Sequence, residues 1–245
     1  MDALSIAAAS GLQSRMDAIE LLANNLANAA TAGYKMDRES YGLYTSPEAD
    51  DLWGLPSTAP VVERQWTDFS QGLLQPTNGP LDLAISGRGL FVVNGPSGVL
   101  YTRNGHFHLA ANGTLVTQEG YPVKAQGGAT LQIISTAPVE VSADGTVSQS
   151  GQVIGKLEIA DFNDVSVLRK EGSNYLMTAD PNVAPMPAAG AEIHQGKLEA
   201  SNVTGPEAAV HLVGLMRQFE MLQRAISIGA DMNRKAIEEV ARPGA

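Results

Sequence analysis

The sequence contains no cysteine among its 245 residues. This absence excludes disulfide bonds, thiolate metal sites and a cysteine nucleophile. The chain also has no apolar run close to the roughly 20 residues that a membrane-spanning helix needs, so membrane insertion is not predicted. Its first segment has no basic start and contains Asp17 and Glu20, which argues against a cleaved secretory signal. Any export from the cytosol would therefore use another route.

Positive charge is scarce as well. Lysine and arginine total 16 against 26 acidic residues, which gives a formal net charge of -10. The acidic excess falls on residues 36–204, whereas the two ends are almost neutral. Nucleic acid is an unsuitable partner because its recognition requires a basic face. The charge distribution favours an acidic body whose ends contact other proteins.

Both ends have the periodicity of helices. The N-terminal stripe has steps of four and three in alternation and comprises Leu12, Met16, Ile19, Ala23, Leu26 and Ala30. Gly33 is expected to end that helix in the left-handed conformation. Pro206 and Glu207 suit the first turn of the last helix. Its main apolar stripe comprises Leu212, Leu215, Phe219, Leu222 and Ile226, and a second stripe about 100° away comprises Met221, Ala225, Ile228 and Met232.

The middle of the chain has the texture of a β protein. Residues 66–204 are short β-branched runs separated by turn signals, with Asn-Gly at 104–105 and 112–113 and Asp-Gly at 144–145. Such pairs are typical of hairpins. We predict one mostly antiparallel β domain, either a sandwich or an irregular barrel. Residues 36–65, rich in proline, glycine and acid, are predicted to be a linker or extended arm.

The predicted fold class is therefore α+β, with a discontinuous helical domain. Residues 1–35 and 205–245 are expected to pack together as an antiparallel, coiled-coil pair, because neither end has another neighbour against which to bury its stripe. The second stripe of the last helix and the uncharged part of the first helix would then stay uncovered in a monomer.

The segment ANNLANAATAGYK, residues 23–35, carries amides where a surface helix would carry charges. With Leu26 on the buried face, Asn24 and Asn28 point about 160° and 200° away from it, and Asn25 lies on a flank. Small, uncharged, hydrogen-bonding side chains suit close contact with other backbones. We interpret these amides as an assembly surface that can set register. The alternative is a helix buried within its own domain.

Several motifs in order resemble the bacterial flagellar rod and hook proteins. The N-terminal SGLQSRMDAIELLANNLANAATAGYK is similar to the signature helix of that family. Further similar stretches are QGLLQPTNGPLDLAISGRGLFVV, YTRNGHFHLAANGTLVTQEGYPV and GKLEASNVTGPEAAVHLVGLMRQFEMLQRAI. Together they cover most of the chain. The sequence departs from the family pattern at Leu90, where a phenylalanine commonly follows the glycine, and in the acidic segment 46–60.

The resemblance implies a structural subunit of the flagellar basal-body rod, which spans the periplasm. It implies export through the flagellar type III apparatus without a cleaved signal, an inner tube of terminal helices around the export channel, and an outer β layer. The partners would be copies of this chain and other rod/hook-family axial proteins. The chain length and the run RQFEM at 217–221 resemble the proximal rod subunit more than the longer distal one, which remains an alternative.

From these patterns we predict assembly-interface residues and no catalytic, cofactor-binding or metal site. The interface residues are expected to be Leu12, Met16, Ile19, Asn24, Asn25, Leu26, Asn28, Leu215, Phe219, Leu222 and Ile226. His106 and His108 share one face of a predicted strand, but two histidines do not complete a metal site. Gly87-Arg88-Gly89 lacks the third glycine of a dinucleotide fingerprint. The competing functions are a secreted β-rich binding module or adhesin and, third, a β-domain hydrolase.

Overall fold

The computed structural model describes residues 3–45, 58–133, 137–172, 174–180 and 182–241. The chain divides into two compact units. The helical unit contains residues 1–27, 37–66 and 205–245, and the β unit contains residues 28–36 and 67–204. In the described residues, no helix has the length and apolar character needed to cross a membrane.

Two long helices dominate the helical unit. Helix α1 spans Ala3–Ala27 and helix α2 spans Gly205–Ala241, and the two pack against each other. Pro206 and Glu207 occupy the first turn of α2, where proline needs no hydrogen-bond partner and the carboxylate faces the positive end of the helix dipole. Strands β1 (Asp37–Thr45) and β2 (Thr58–Thr67) form a two-stranded sheet, and β1 contacts α1.

Helix α1 buries a different line of residues from the predicted stripe. From residue 11 onwards its most buried positions are Gly11, Ser14, Ala18, Leu22 and Asn25. The predicted stripe lies beside this line, with Met16 45% exposed. The placement of Leu26 on the most buried face was therefore wrong for the single chain. Gly11, Ser14 and Ala18 in this line are small, which allows neighbouring elements to approach the helix backbone closely.

The burial pattern of α2 follows its predicted main stripe. Leu215 is buried, and Leu212, Phe219, Leu222 and Ile226 are half-buried. The second stripe is exposed at all four of its positions, with Met232 66% exposed. A helix with one apolar stripe covered and another in solvent has more hydrophobic surface than its own chain can bury.

The β unit is built from fifteen described strands. They are β3 (Leu74–Pro76), β4 (Leu83–Ser86), β5 (Leu90–Gly95), β6 (Gly98–Thr102), β7 (His108–Leu109), β8 (Leu115–Val116), β9 (Val139–Val141), β10 (Thr146–Gln149), β11 (Gln152–Lys156), β12 (Ile159–Asp161), β13 (Leu168–Glu171), β14 (Tyr175–Thr178), β15 (Met186–Pro187), β16 (Glu192–Gln195) and β17 (Lys197–Glu199). The largest sheet has the order β13-β14-β6-β5-β12-β15, and β11-β10-β9 form a second sheet. Three two-stranded sheets, β16-β4, β17-β3 and β7-β8, complete the unit.

The strand pairings described within this unit are antiparallel. Because the chain contains a helix pair and an antiparallel β unit, the predicted α+β class is confirmed.

Strand β5 lies at the centre of the core because both of its faces are covered. Phe91 and Val93 belong to the larger hydrophobic cluster, whereas Leu90 and Val92 belong to a second cluster on the opposite face. Phe91 meets Phe107 edge-to-face with ring centroids 5.1 Å apart. The uninterrupted apolar run LFVV is the pattern expected of a strand buried on both sides. Leu90, the departure from the family pattern, is fully accommodated in the second cluster.

Two of the three predicted hairpin turns are present. The pair at 112–113 joins β7 to β8, and the pair at 144–145 joins β9 to β10. Gly113 and Gly145 have φ of 80° and 86°, the left-handed conformation that favours glycine. A further tight turn, between β10 and β11, has positive φ at both Ser150 and Gly151, as a type I′ turn requires.

The predicted hairpin at Asn104-Gly105 was wrong. The pair joins β6 to β7, which lie in different sheets. Gly105 accepts a hydrogen bond from the backbone of Leu83, and a Cβ at Gly105 would lie 1.7 Å from the Leu83 carbonyl oxygen. Glycine is therefore required here for close approach of another strand, a use that the dipeptide signal does not distinguish from a hairpin.

Candidate assembly site

The exposed side of α2 carries large apolar side chains along most of its length. Five of them are more than half exposed: Val210, Met221, Ile228 and Met232 lie on one face of the helix, and Ile237 lies on the opposite face. The four residues on one face lie between positions 210 and 232, which corresponds to about 33 Å of helix at 1.5 Å per residue. Isolated exposed apolar residues are ordinary, but several on one helix face mark an interaction surface.

The three asparagines of α1 and its end have three different environments. Asn24 is exposed, Asn28 is half-buried, and Asn25 is only 1% exposed. Asn28 accepts a hydrogen bond from the Thr31 hydroxyl and so supports the turn that follows the helix. The expected outward direction of Asn24 agrees with its exposure, whereas the expected flank position of Asn25 was wrong.

Asn25 is buried because it binds the start of β1 within its own chain. Its Nδ2 donates to the Asp37 carbonyl oxygen at 2.8 Å, and its Oδ1 accepts from the Asp37 amide at 2.9 Å. The side-chain amide therefore replaces the backbone partner that a neighbouring strand would supply. An amide has the required donor and acceptor on one planar group, which no apolar or charged side chain offers.

A buried charged cluster follows α1 in the chain, and sequence reasoning missed it. Lys35 and Glu199 form an ion pair with Nζ and Oε1 2.5 Å apart, and their side chains are 3% and 0% exposed. Arg103 reaches the other carboxylate oxygen through Nη1 at 3.0 Å. The Gly72 amide also donates to Glu199 Oε1 at 2.9 Å. One carboxylate thus serves two cations and one backbone amide.

Other donors of the cluster bind backbone carbonyl groups. Lys35 Nζ donates to the Ser70 carbonyl oxygen at 2.7 Å. Arg103 donates to the carbonyl oxygens of Ile85 and Gly87, at 3.2 and 2.6 Å. Burial lowers the pKa of Lys35, and the adjacent Glu199 carboxylate opposes that shift. Burying charged groups is costly unless each is paired, so the stability of this cluster depends on the correct placement of its partners.

The same cluster organises two segments through which the chain passes to the helices. We call residues 28–36 the N-side crossing segment and residues 197–204 the C-side crossing segment. The Gly33 amide donates to the Glu199 carbonyl oxygen at 2.7 Å, and the Met36 amide donates to Asn202 Oδ1 at 2.8 Å. Gly33 has the predicted left-handed conformation, with φ of 70°, but α1 already ends at Ala27, so the prediction that Gly33 ends the helix was wrong.

Residues on β13 and beside β14 secure the N-side crossing segment. Lys170 Nζ donates to the Lys35 carbonyl oxygen at 2.6 Å and lies 4.1 Å from the ring centre of Tyr34. Asn174 Nδ2 donates to the Ala32 carbonyl oxygen at 3.0 Å. The TAGYK motif could have indicated Tyr34 and Lys35, but nothing in a single sequence pairs Lys35 with a glutamate 164 positions later.

The weak chemical candidates have structural roles in the described chain. His106 Nδ1 lies 2.5 Å from Asp82 Oδ1, and His108 is exposed on β7. Arg88 binds Asp161 and the Phe162 carbonyl oxygen across a turn with two glycines at positive φ. Among the described residues, no group of three or more histidine and carboxylate side chains is placed to hold a metal ion.

The exposed apolar residues on one face of α2 are typical of a subunit that assembles with other chains. The chain matches three family models: flagella basal body rod protein at residues 7–35, flagellar hook protein FlgE/F/G D1 domain at 84–153, and flagellar basal body rod FlgEFG protein C-terminal at 194–239.

Relatives align over almost the full length of the chain. The flagellar basal-body rod protein FlgF of Caulobacter vibrioides is 35% identical over 226 residues, covering 91% of this chain and 92% of the relative. The rod protein FlgG of the same organism is 30% identical over 249 residues, covering 92% and 94%. FlgG of Buchnera aphidicola subsp. Acyrthosiphon pisum is also 30% identical, covering 92% and 95%. The chain belongs to the flagellar basal-body rod proteins and is a structural subunit of the rod.

Proposed function

We propose that this chain assembles with copies of itself and with other axial proteins into a hollow rod that transmits motor torque and surrounds the export channel. The observation that carries this proposal is the exposed apolar series on α2. Hydrophobic surface of this extent is stabilised when neighbouring subunits cover it. The role is mechanical, without catalysis, and the subunit reaches its position through the flagellar type III export apparatus.

The proposed interface combines residues from both helices. Met16 and Asn24 are exposed on α1, and all four residues of the second stripe are exposed on α2. Leu12, Ile19, Leu26, Asn28, Phe219, Leu222 and Ile226 are half-buried, and Leu215 is buried, so these residues contribute the covered part of each helix. Asn25 contributes indirectly, because its side chain is hydrogen-bonded to Asp37 at the start of β1.

We further propose that the chain occupies the proximal part of the rod, as its length and the run at 217–221 predict. Electron microscopy of basal bodies from a strain that lacks this gene tests the rod role and the position together. Rods that are missing or stop at a short stump support the proximal placement, and a long stump favours the distal one. Normal basal bodies and motility would contradict the rod role and favour a binding module or adhesin.

Cross-linking tests the interface directly, because the natural chain has no cysteine to interfere. Ile228→Cys places a thiol on the exposed side of α2, and mild oxidation of assembled basal bodies should yield cross-linked subunits. The same variant as dilute purified protein is the matched control and should remain uncross-linked. Absence of cross-links in fully assembled rods would remove this face from the interface.

A further inference from the structure

Two buried polar atoms at the charged cluster have no hydrogen-bond partner among the described residues. They are Arg103 Nε, which carries a hydrogen to donate, and Asn174 Oδ1, which can only accept. The Arg103 side chain is 7% exposed. An unpaired buried donor or acceptor costs about 1–3 kcal/mol, so such atoms in a folded protein generally have a partner.

A small cavity lies between these residues. Its lining includes Gly33, Lys35, Arg103, Lys170 and Asn174, and about 10 Å³ of it is open to the centre of a water molecule. That volume corresponds to roughly one water molecule. Tyr175 and Leu176 complete the lining, and the cavity, which is partly open, has the size that one bound water requires.

We propose that one water molecule occupies this cavity, accepts a hydrogen bond from Arg103 Nε and donates one to Asn174 Oδ1. The orientation of the Asn174 amide is set because its Nδ2 donates to the Ala32 carbonyl oxygen. Its oxygen therefore needs a donor. Chloride or another simple anion has positive neighbours here but no hydrogen to donate, and it would face the amide oxygen unfavourably. Water satisfies both unpaired atoms at once.

This water adds a further polar connection between the two crossing segments, beside their direct hydrogen bonds. The connection runs from Glu199 through Arg103 and the water to Asn174, and from there to Ala32. It ties the segment that follows α1 to the segment that precedes α2, inside the β unit. A role of this connection in torque transmission rests on the proposed rod function. The presence of the water is independent of that function.

Crystallography of the full chain, grown with sodium bromide at about 1.5 Å resolution or better, tests the site. The expected result is a single peak within normal hydrogen-bond distance, about 2.7–3.2 Å, of both Arg103 Nε and Asn174 Oδ1, without bromine anomalous signal. An anomalous peak would replace water with an anion site and overturn the proposal. An empty cavity at that resolution would overturn it as well.

A pair of variants tests the connection in the rod. Asn174→Leu removes the acceptor of the water and the donor to the N-side crossing segment, whereas Asn182→Leu changes an exposed asparagine of the same unit. We expect Asn174→Leu to raise hydrogen exchange at the Gly33 amide at least tenfold and to reduce swimming, with Asn182→Leu like wild type. If hydrogen exchange and swimming are unchanged in Asn174→Leu, the water-mediated connection has no mechanical role. That conclusion would hold even if the crystal structure shows the water and the gene deletion abolishes rods.

Discussion

Replacing Glu199 with glutamine is the most informative single change in this protein. Glu199→Gln keeps the side-chain shape but removes the negative charge that faces Lys35 and Arg103, both of them buried. Breaking a buried ion pair by neutralising one partner costs about 3–5 kcal/mol, because the remaining charge stays desolvated without compensation. Because two cations lose their partner here, we expect the free energy of unfolding to fall by an amount in the upper part of that range.

The measurement is the melting temperature of the β unit, obtained by calorimetric unfolding of the full chain. For a unit of this size the expected loss corresponds to a melting temperature about 10 °C or more below wild type. The matched control is Glu158→Gln, which neutralises a partly exposed pair with Lys124 whose N–O distance is 3.5 Å. A partly exposed pair contributes about 0–1 kcal/mol, so this variant should melt near wild type.

A double variant separates charge from shape. Adding Lys35→Met to Glu199→Gln removes one of the two uncompensated cations and should recover at least about 1 kcal/mol, a coupling of the size found between contacting residues. The reasoning is refuted if Glu199→Gln melts within 2 °C of wild type, or if the second substitution only adds to the loss.

Three further changes test other parts of the structure. Gly105→Ala should destabilise the β unit by at least about 3 kcal/mol, because the added Cβ would lie 1.7 Å from a carbonyl oxygen. Gly214→Ala is the control and should stabilise its helix by about 1 kcal/mol, because its Cβ would have no atom within 4 Å. Similar urea midpoints for the two variants would contradict this reasoning. Phe219→Asp should block rod assembly and leave the β unit folded, with the exposed neighbour substitution Gln218→Asp as control; normal rods containing Phe219→Asp would show that this face is dispensable. Burial and then a hydrogen bond to a carboxylate raise the pKa of Tyr175 above its ordinary value of 10.0, so its contribution to stability is complete below pH 10 and is lost as pH rises further. Thermal melts between pH 9 and 11 should therefore decline less steeply in Tyr175→Phe, and parallel curves would disprove that link.

Local patterns predicted the elements whose cause is local. The α2 stripe and the two glycine turns at 113 and 145 depend on residues within a few positions of one another. The same kind of signal failed at Asn104-Gly105. There the glycine is required by a strand that is distant in sequence, and the dipeptide carries no information about that strand.

Asn25 and Glu199 show why the site was harder to predict than the fold. Helical periodicity placed Asn25 by its angle on α1, but its burial is decided by β1, which returns to the helix and needs two hydrogen bonds at Asp37. Glu199 is one acidic residue among many in an acidic chain. Its partners, Lys35 and Arg103, come from segments more than 90 positions away, so only the folded chain identifies the pair.

Motif order and periodicity are properties of the chain alone, and they were enough to predict the family, the α+β class, the helical ends and the apolar stripes of α2. The buried face of α1, the asparagine that binds β1 and the contacts of Glu199 with both crossing segments become evident in the folded chain. These depend on contacts between residues far apart in sequence, where desolvation and hydrogen-bond geometry select the partner.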